Sequence, residues 1–455
     1  MRFHLPEILL TALLAAGFAS VGEVVLRRRF RDVAGANESM LAGMGVCAAL
    51  LFPLSLIAPR YALLTEAVLL AVCLSWAVFH RIARPGSRNR VAWSVRDPAA
   101  RMILVAVVLV GAGFAALNFR YTYLWDGFVI WATKARLISY HGALTREWLV
   151  PGDVVNLRLL EYPVLVPLYE ALLSLLRGAF DYDRLKPVFM VFFLSLLIGT
   201  YSAVRSQLPA RLAAMAALLV GLLPALSTHY AAGAYADMPQ AAMVAGVVAA
   251  AMGGRRESLP WLIGGLTTVK AEGTILAALA CGGVVLFWLL ESRRNFVKRF
   301  RSELGGAGVV AVFLIIRFTY TRWIGAPELT YRNALSVAIA RIPHVARLCL
   351  TNLANPMQWG LLWPAFAVAV VVLFRRGTNL EKSLAAAISA GLLVLGAPFL
   401  VTQWPVDLHV YQAYFRLVAQ IAPAAVVAML LAYARLALPF AASTSISAAR
   451  SESRG

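Results

Sequence analysis

Long apolar runs, separated by short polar stretches, recur along nearly the whole chain. Most are close to the roughly 20 residues that a helix needs to cross a hydrocarbon core about 30 Å thick. Helices satisfy their own backbone hydrogen bonds inside a bilayer, so these runs predict membrane-spanning helices. The pattern predicts about thirteen spans, at residues 5–26, 40–58, 61–83, 102–119, 187–204, 212–229, 238–253, 259–269, 274–290, 305–323, 356–374, 384–402 and 417–436.

The run at 259–269 is shorter than the others, so it either spans by itself or forms one kinked hairpin with 274–290. Composition supports a membrane protein, because 61% of the 455 residues are hydrophobic and only 14% are charged. The mean hydropathy of +0.75 is also too high for a soluble globular protein of this size. We predict an all-α polytopic membrane protein.

The predicted orientation depends on where arginine and lysine collect in short loops, because such loops stay in the cytoplasm. With thirteen spans, the basic clusters at residues 27–31, 81–101, 255–256, 293–301 and 375–376 all fall on one side. That side is predicted to be cytoplasmic. The N-terminus is then outside and the C-terminus inside, and the outer segments are 120–186, 321–355 and 403–416.

The formal net charge of +20 is mostly this positive-inside bias, which argues against nucleic-acid binding. The basic cluster after the first apolar run also favours a retained span over a cleaved signal peptide. The four cysteines form neither a disulfide framework nor a metal-binding spacing. The first outer segment is nevertheless basic, which an anionic lipid phosphate would explain; its cations are Arg120, Lys134, Arg136, Arg146, Arg158, Arg177, Arg184 and Lys186.

The first outer segment is too apolar for a flexible loop and contains WDGFVIWATKARLISYHGAL. Three- and four-residue spacing predicts an in-plane amphipathic helix, with Lys134 and Arg136 pointing away from its apolar face. That face comprises Leu124, Phe128, Trp131, Ala135 and Ile138. A second apolar piece, 162–176, begins in EYPVLVPLYEALL, and its prolines favour an interfacial or re-entrant helix over a straight span.

Two acids mark the predicted outer ends of helices. Asp126 follows Trp125 at the start of the in-plane helix, and Asp237 in AYADMP precedes the span at 238–253. A carboxylate at a helix start can simply cap free backbone N–H groups, which stabilises the helix by about 1 kcal/mol. Alternatively, the two acids face one cleft and act on a substrate at the membrane surface.

Two further groups of polar residues lie on the same predicted side. Lys270 and Glu272, in GGLTTVKAEG, are charges in apolar sequence, which either form a structural ion pair or bind a phosphate. The last outer segment brings His409, Tyr411 and Arg416 before the final span. Snorkelling to headgroups is the ordinary role for such an arginine, and a hydrogen-bonded structural role for such a histidine.

Taken together, these segments resemble the GT-C superfamily of membrane glycosyltransferases, which includes protein O-mannosyltransferases and lipid A aminoarabinose transferases. WDGFVIWATKARLISYHGAL is similar to the acid-bearing first outer loop, and EYPVLVPLYEALL to the piece that closes it. AYADMP resembles the second acid, GGLTTVKAEG the helical hairpin, and DLHVYQAYFRLVAQIAP the terminal motif with its arginine. The similarity covers residues 102–437, with the outer loop at 120–186.

Residues 1–101 would then be three additional N-terminal helices, and 438–455 a disordered cytoplasmic tail. The first-loop acid is followed by Gly127 where many relatives carry a second acid. A single acid suits metal-independent members, so no cofactor is expected. The additional helices leave the subfamily and the acceptor open.

The resemblance implies sugar transfer from a polyprenyl-phosphate donor to a hydroxyl of a lipid, glycan or protein, at the outer face of a bacterial inner membrane. Asp126 is the candidate general base, and Asp237 would orient hydroxyl groups. Lys270, Arg416 and Lys134 are the candidates for binding the donor phosphate. The remaining candidate substrate contacts are Trp125, Tyr162, Glu272, His409 and Tyr411.

Three other functions remain open. A lipid or polysaccharide carrier would bind the same headgroup, but it calls for charged or broken helices at mid-membrane and, often, repeated halves. A surface-glycan polymerase or ligase would use a diphosphate-linked donor. The last alternative is a membrane subunit without catalytic activity.

Overall fold

The computed structural model describes residues 5–27, 32–83, 97–145, 162–291, 296–325 and 335–437. This part of the chain folds into helices without any strand, which confirms the all-α class. It contains several helices long enough to cross a membrane, so the polytopic class is confirmed as well. Arg146, Arg158 and the tail predicted to be disordered lie outside the described residues.

The helices are numbered in chain order. The first half contains α1 Leu5–Val25, α2 Val33–Ile57, α3 Ala62–Ala83, α4 Pro98–Arg120, a π-helical segment Gly127–Ala132, α5 Thr133–His141, α6 Leu165–Arg177, α7 Tyr182–Leu185, α8 Pro187–Arg205, α9 Ala210–Leu222 and α10 Pro224–Gly233.

The second half begins with the helix that Asp237 opens. It contains α11 Asp237–Met252, α12 Leu259–Leu266, α13 Gly273–Glu291, α14 Phe296–Ser302, α15 Leu304–Ile324, α16 Leu335–Leu353, α17 Pro356–Trp359, α18 Leu362–Arg376, α19 Asn379–Gly396, α20 Pro398–Val401, α21 Val406–His409, a second π-helical segment Val410–Tyr414, α22 Phe415–Ala419 and α23 Ala422–Ala437.

Eight helices in the described part of the chain are long and apolar enough to cross a membrane, so the predicted thirteen spans are not confirmed. A ninth results if Val406–Ala419 and Ala422–Ala437, which meet at a bend of 57°, count as one broken span. Several predicted runs are divided or short. The run at 212–229 is interrupted before Pro224, and α12 has only 8 residues.

The three N-terminal helices pack closely on one another and on the rest of the chain. A Cβ at Gly22 would lie 1.8 Å from the Ser39 carbonyl oxygen, so only glycine permits this approach of α1 to α2. Two polar contacts join α2 to later parts of the chain. Glu38 forms an ion pair with Arg255, and the Asn37 amide donates to the Ser195 carbonyl at 3.3 Å.

Backbone hydrogen bonds fasten the first outer segment to two other parts of the fold. The Leu63 amide, at the start of α3, donates to the Gly142 carbonyl just after α5, at 2.8 Å. The Leu165 amide, at the start of α6, donates to the Thr268 carbonyl near the turn between α12 and α13, at 3.0 Å. The N-terminal helices and this turn therefore both help to position the segment that carries Asp126.

The first outer segment contains the predicted helix, but only part of its predicted apolar face is buried. Trp131, Ala135 and Ile138 are buried, whereas Leu124 and Phe128 are exposed, and Lys134 is buried as well. The π-helical segment widens the turns directly after Asp126, so the residues before and after it do not share one face of 3.6 residues per turn. The second apolar piece forms the predicted helix, α6. The segment 321–355 contains one helix that the pattern did not predict, α16.

Candidate functional site

The guanidinium of Arg416 joins the two acids that the sequence singled out. Its Nη1 lies 2.5 Å from Oδ2 of Asp126. Its Nε and Nη2 lie 3.2 and 3.0 Å from Oδ2 of Asp237. The ring of Tyr235 lies under the same guanidinium, 4.4 Å from ring centroid to Cζ. Acids separated by more than a hundred residues of sequence are thus held by one cation.

Asp237 is also bound from the other side. Its Oδ1 accepts from Nζ of Lys270 at 2.8 Å and from Nε2 of Gln420 at 2.9 Å. Lys270 in turn lies 3.3 Å from Oε1 of Glu272, so the predicted ion pair between these two residues is present beside the pair between Lys270 and Asp237. Burial opposes the charge on Lys270, but the Asp237 and Glu272 carboxylates outweigh it and raise the pKa of Lys270 above its usual value. The ammonium is therefore charged. We call Asp126, Asp237, Lys270, Glu272 and Arg416 the charged cluster.

Most members of the charged cluster lie at helix ends or in a turn. Asp126 directly precedes the first π-helical segment, Asp237 opens α11, and Lys270 and Glu272 lie in the turn between α12 and α13. Arg416 lies within the continuous helical stretch Val406–Ala419. This turn is tight, because a Cβ at Gly273 would lie 1.8 Å from the Leu266 carbonyl oxygen. The sequence GGLTTVKAEG therefore supplies glycine where the hairpin requires it.

The two π-helical segments lie directly beside the ion pair between Asp126 and Arg416. One begins at Gly127 and the other ends at Tyr414, two residues before Arg416. A Cβ at Gly127 would lie 2.2 Å from the Gly233 carbonyl oxygen, so glycine lets the first segment lie against the end of α10. Such π-helical turns inside α-helices occur frequently at functional sites.

Neither acid caps its helix, although capping was the alternative role for both. The Asp126 side chain makes no capping hydrogen bond to the following π-helical segment. Asp237 is the first residue of α11 rather than its N-cap, and the N-cap position, Ala236, has no capping side chain. Both carboxylates instead accept hydrogen bonds from the charged cluster. The side chains are thus available for roles other than helix capping.

The charged cluster is graded in depth. The relative exposure of the side chains falls from 26% for Asp126 and 18% for Arg416 to 6% for Lys270 and 0% for Asp237. Glu272 is also 18% exposed, so Asp126, Arg416 and Glu272 are the members of the cluster that are partly exposed. Asp237 and Lys270 are buried, and Arg416 contacts Asp237 from the more exposed side; we call this buried pair the floor of the site.

Buried polar contacts hold in place the residues that precede Asp126 in the sequence. The Tyr123 hydroxyl donates to Oε1 of Glu170 at 2.6 Å. Burial, followed by the adjacent Glu170 carboxylate, raises the pKa of Tyr123 well above its usual value, so the phenol keeps the proton that it donates. The Lys186 ammonium donates to the Tyr121 carbonyl and lies 5.8 Å from the centre of the Tyr123 ring.

The other predicted site residues contact different parts of the protein. Lys134 is buried and donates to the Tyr162 carbonyl at 2.7 Å, so its predicted outward direction is wrong. Oγ1 of Thr402 lies 2.7 Å from Nδ1 of His409. Trp125 and Tyr411 are exposed and project from the surface.

Two residues of the site were missed by sequence reasoning. Gln420 lies four residues after Arg416, at the bend between α22 and α23, and Tyr235 lies two residues before Asp237. A glutamine one helical turn from the arginine in an apolar run is a signal that could have indicated a shared partner. Among the described residues, no group of three or more histidine, cysteine or acidic side chains is arranged to hold a metal ion.

No family model, no curated protein and no solved structure matches this chain. The GT-C resemblance therefore depends on the segments quoted above and remains a prediction.

Proposed function

We propose that the protein transfers a sugar from a polyprenyl-phosphate donor to an acceptor hydroxyl, at the membrane face where the charged cluster lies. One observation carries this proposal: Arg416 holds the reachable acid, Asp126, against a buried, charged floor formed by Asp237 and Lys270. This arrangement offers a base and a cation side by side at the ends of membrane helices. Sugar transfer from a lipid-linked phosphate uses both, because the base removes the acceptor proton and the cation stabilises the leaving phosphate.

The reaction breaks the bond between the anomeric carbon and the phosphate oxygen. The acceptor oxygen attacks the anomeric carbon from the opposite side, so the configuration inverts. The electron pair of the broken bond leaves with the polyprenyl phosphate. The acceptor proton passes to Asp126, whose Oδ2 is bound by Arg416. The step needs no general acid, because the leaving phosphate is already a stable anion.

Arg416 couples proton removal to departure of the phosphate. Before the reaction, its charge is balanced by Asp126 and Asp237. When Asp126 accepts the proton and becomes neutral, the attraction between this pair weakens. Negative charge grows on the leaving phosphate in the same step, and Arg416 can turn toward it. The cation thus stabilises the transition state more than the ground state, which is the condition for acceleration.

The buried members of the cluster position Arg416 rather than contact the acceptor. Asp237 is fully buried and bound by Arg416, Lys270 and Gln420. Because charged hydrogen bonds already hold these buried side chains in place, the site needs little reorganisation during the reaction. We therefore assign Asp237 to positioning and Lys270 to strengthening the positive potential beneath the phosphate.

Binding of a polyprenyl phosphate tests the donor assignment without any acceptor. We expect the purified protein to gain thermal stability with polyprenyl phosphate but not with the matching polyprenol. Ligand at about 100 times its Kd stabilises a folded protein by about 2.7 kcal/mol. The Arg416→Met variant, compared with its own unliganded state, should lose most of this gain.

Arg347→Met is the matched control, since Arg347 is an exposed arginine of α16 outside the charged cluster. This variant should keep the full gain. Equal gains with polyprenol and polyprenyl phosphate in the unmodified protein would contradict recognition of the phosphate. An unchanged gain in Arg416→Met would remove Arg416 from the donor site.

A further inference from the structure

A cavity of about 460 Å³ lies between the α12–α13 hairpin and α11, α15, α19 and α23. It borders the half of α11 farthest from Asp237, and it extends toward the hairpin turn that carries Lys270. Its size is in the range of pockets that bury small ligands. The walls are almost entirely apolar and include Val247, Leu266, Leu276, Val284, Trp288 and Ile388.

Among the described residues that line this cavity, two are charged. Arg256 shortly precedes α12, and Glu303 directly precedes α15. The starts of these two helices pack together, since a Cβ at Gly306 would lie 2.8 Å from Cγ of Pro260. Neither Arg256 nor Glu303 forms an ion pair with a described residue. One cation and one carboxylate thus lie beside the same apolar cavity, on the side of the membrane where the sequence predicts the basic loops.

We propose that this cavity binds one chain of a zwitterionic glycerophospholipid with a primary-amine headgroup. The chain fills the apolar walls, the phosphate binds Arg256, and the ammonium binds Glu303. A lipid whose headgroup ends in neutral or anionic groups would leave the Glu303 carboxylate unmatched or repelled. Arg256 lies on the predicted cytoplasmic side, so the lipid comes from that leaflet.

The bound chain supports the hairpin. Helix α13 packs against α19, where a Cβ at Gly283 would lie 3.4 Å from Cβ of Ala387. On its other side the cavity separates α13 from α11. Filling that space replaces missing van der Waals contacts along both walls. The lipid therefore holds the turn that carries Lys270, whatever reaction the charged cluster performs.

Lipid retention tests the proposal directly. The protein is exchanged into nanodiscs of equal parts phosphatidylethanolamine and phosphatidylglycerol, extracted in mild detergent, and its retained phospholipid is counted by native mass spectrometry. We expect one retained phosphatidylethanolamine per chain, in at least about tenfold excess over phosphatidylglycerol, which is about 1.4 kcal/mol. Val284→Trp fills the cavity and should abolish retention.

Leu290→Trp is the matched control, because Leu290 lies on the same helix, is exposed, and does not line the cavity. It should retain the lipid. Arg256→Ala, which leaves the apolar walls intact, should lose retention, and Glu303→Gln should lose the preference for phosphatidylethanolamine. Equal retention in Val284→Trp and Leu290→Trp, no retention in the unmodified protein, or capture of polyprenyl phosphate instead would overturn the proposal. These readouts need no enzymatic activity, so they stand apart from the test of sugar transfer.

Discussion

Replacing Asp126 with asparagine is expected to slow sugar transfer by about 10²- to 10⁴-fold, the contribution typical of a positioned general base. The asparagine oxygen can still accept the hydrogen bond that Arg416 donates to Asp126 at 2.5 Å. The local geometry is therefore preserved, and the chain should still fold and enter the membrane. The amide cannot take the proton of the acceptor hydroxyl, so only the chemical step is lost.

This prediction is measured in proteoliposomes, as transfer of labelled sugar from a polyprenyl-phosphate donor, beside the amount of inserted protein. Asp407→Asn is the matched control. Asp407 is an exposed acid that lies 3.2 Å from His344 and does not belong to the charged cluster. It should keep nearly full activity. Full transfer by Asp126→Asn would show that Asp126 is not the general base.

Replacing Asp237 with asparagine is expected to destabilise the fold by about 3–5 kcal/mol, the cost of breaking a buried ion pair. Lys270 and Arg416 both lie against this carboxylate, and Lys270 is almost fully buried. Removing the negative charge leaves a buried ammonium with only Glu272 to balance it. The free energy of unfolding, measured in micelles by denaturant titration, reports this loss.

A second change distinguishes the ion pair from a general effect of mutation. Adding Lys270→Met to Asp237→Asn removes the unbalanced ammonium, so part of the lost stability should return. Asp32→Asn is the control, because Asp32 caps α2 and asparagine caps equally well. If Asp237→Asn unfolds at the same denaturant concentration as the unmodified chain, the cluster is not the buried charged floor described above.

The sequence predicted the helices much better than the number of spans. Apolar runs gave the ends of α1, α3, α8 and α13 to within two residues, because hydropathy alone determines such helices. It could not predict where a run divides, since the break before Pro224 depends on local backbone geometry. It also failed at the π-helical segment after Asp126, because the predicted face assumed 3.6 residues per turn.

The candidate site was predicted from its residue types rather than from contacts. Asp126 and Asp237 were singled out by their positions at predicted helix ends, Lys270 and Glu272 by the cost of charges in apolar sequence, and Arg416 by its place before the final span. Which of these residues pair depends on tertiary packing. Residues so far apart in the sequence leave no local pattern that would predict their contact. Gln420 was missed for the same reason, because an amide in an apolar run becomes informative only beside its partner.

A structure determined with a polyprenyl phosphate bound would locate the donor headgroup relative to the charged cluster. We expect the phosphate within hydrogen-bonding distance of Arg416, above Lys270, with Asp126 at the opening. The lipid chain should then leave the site along the helices into the bilayer. A phosphate bound near the middle of the membrane, away from Arg416 and Asp126, would contradict sugar transfer at this site and favour a carrier.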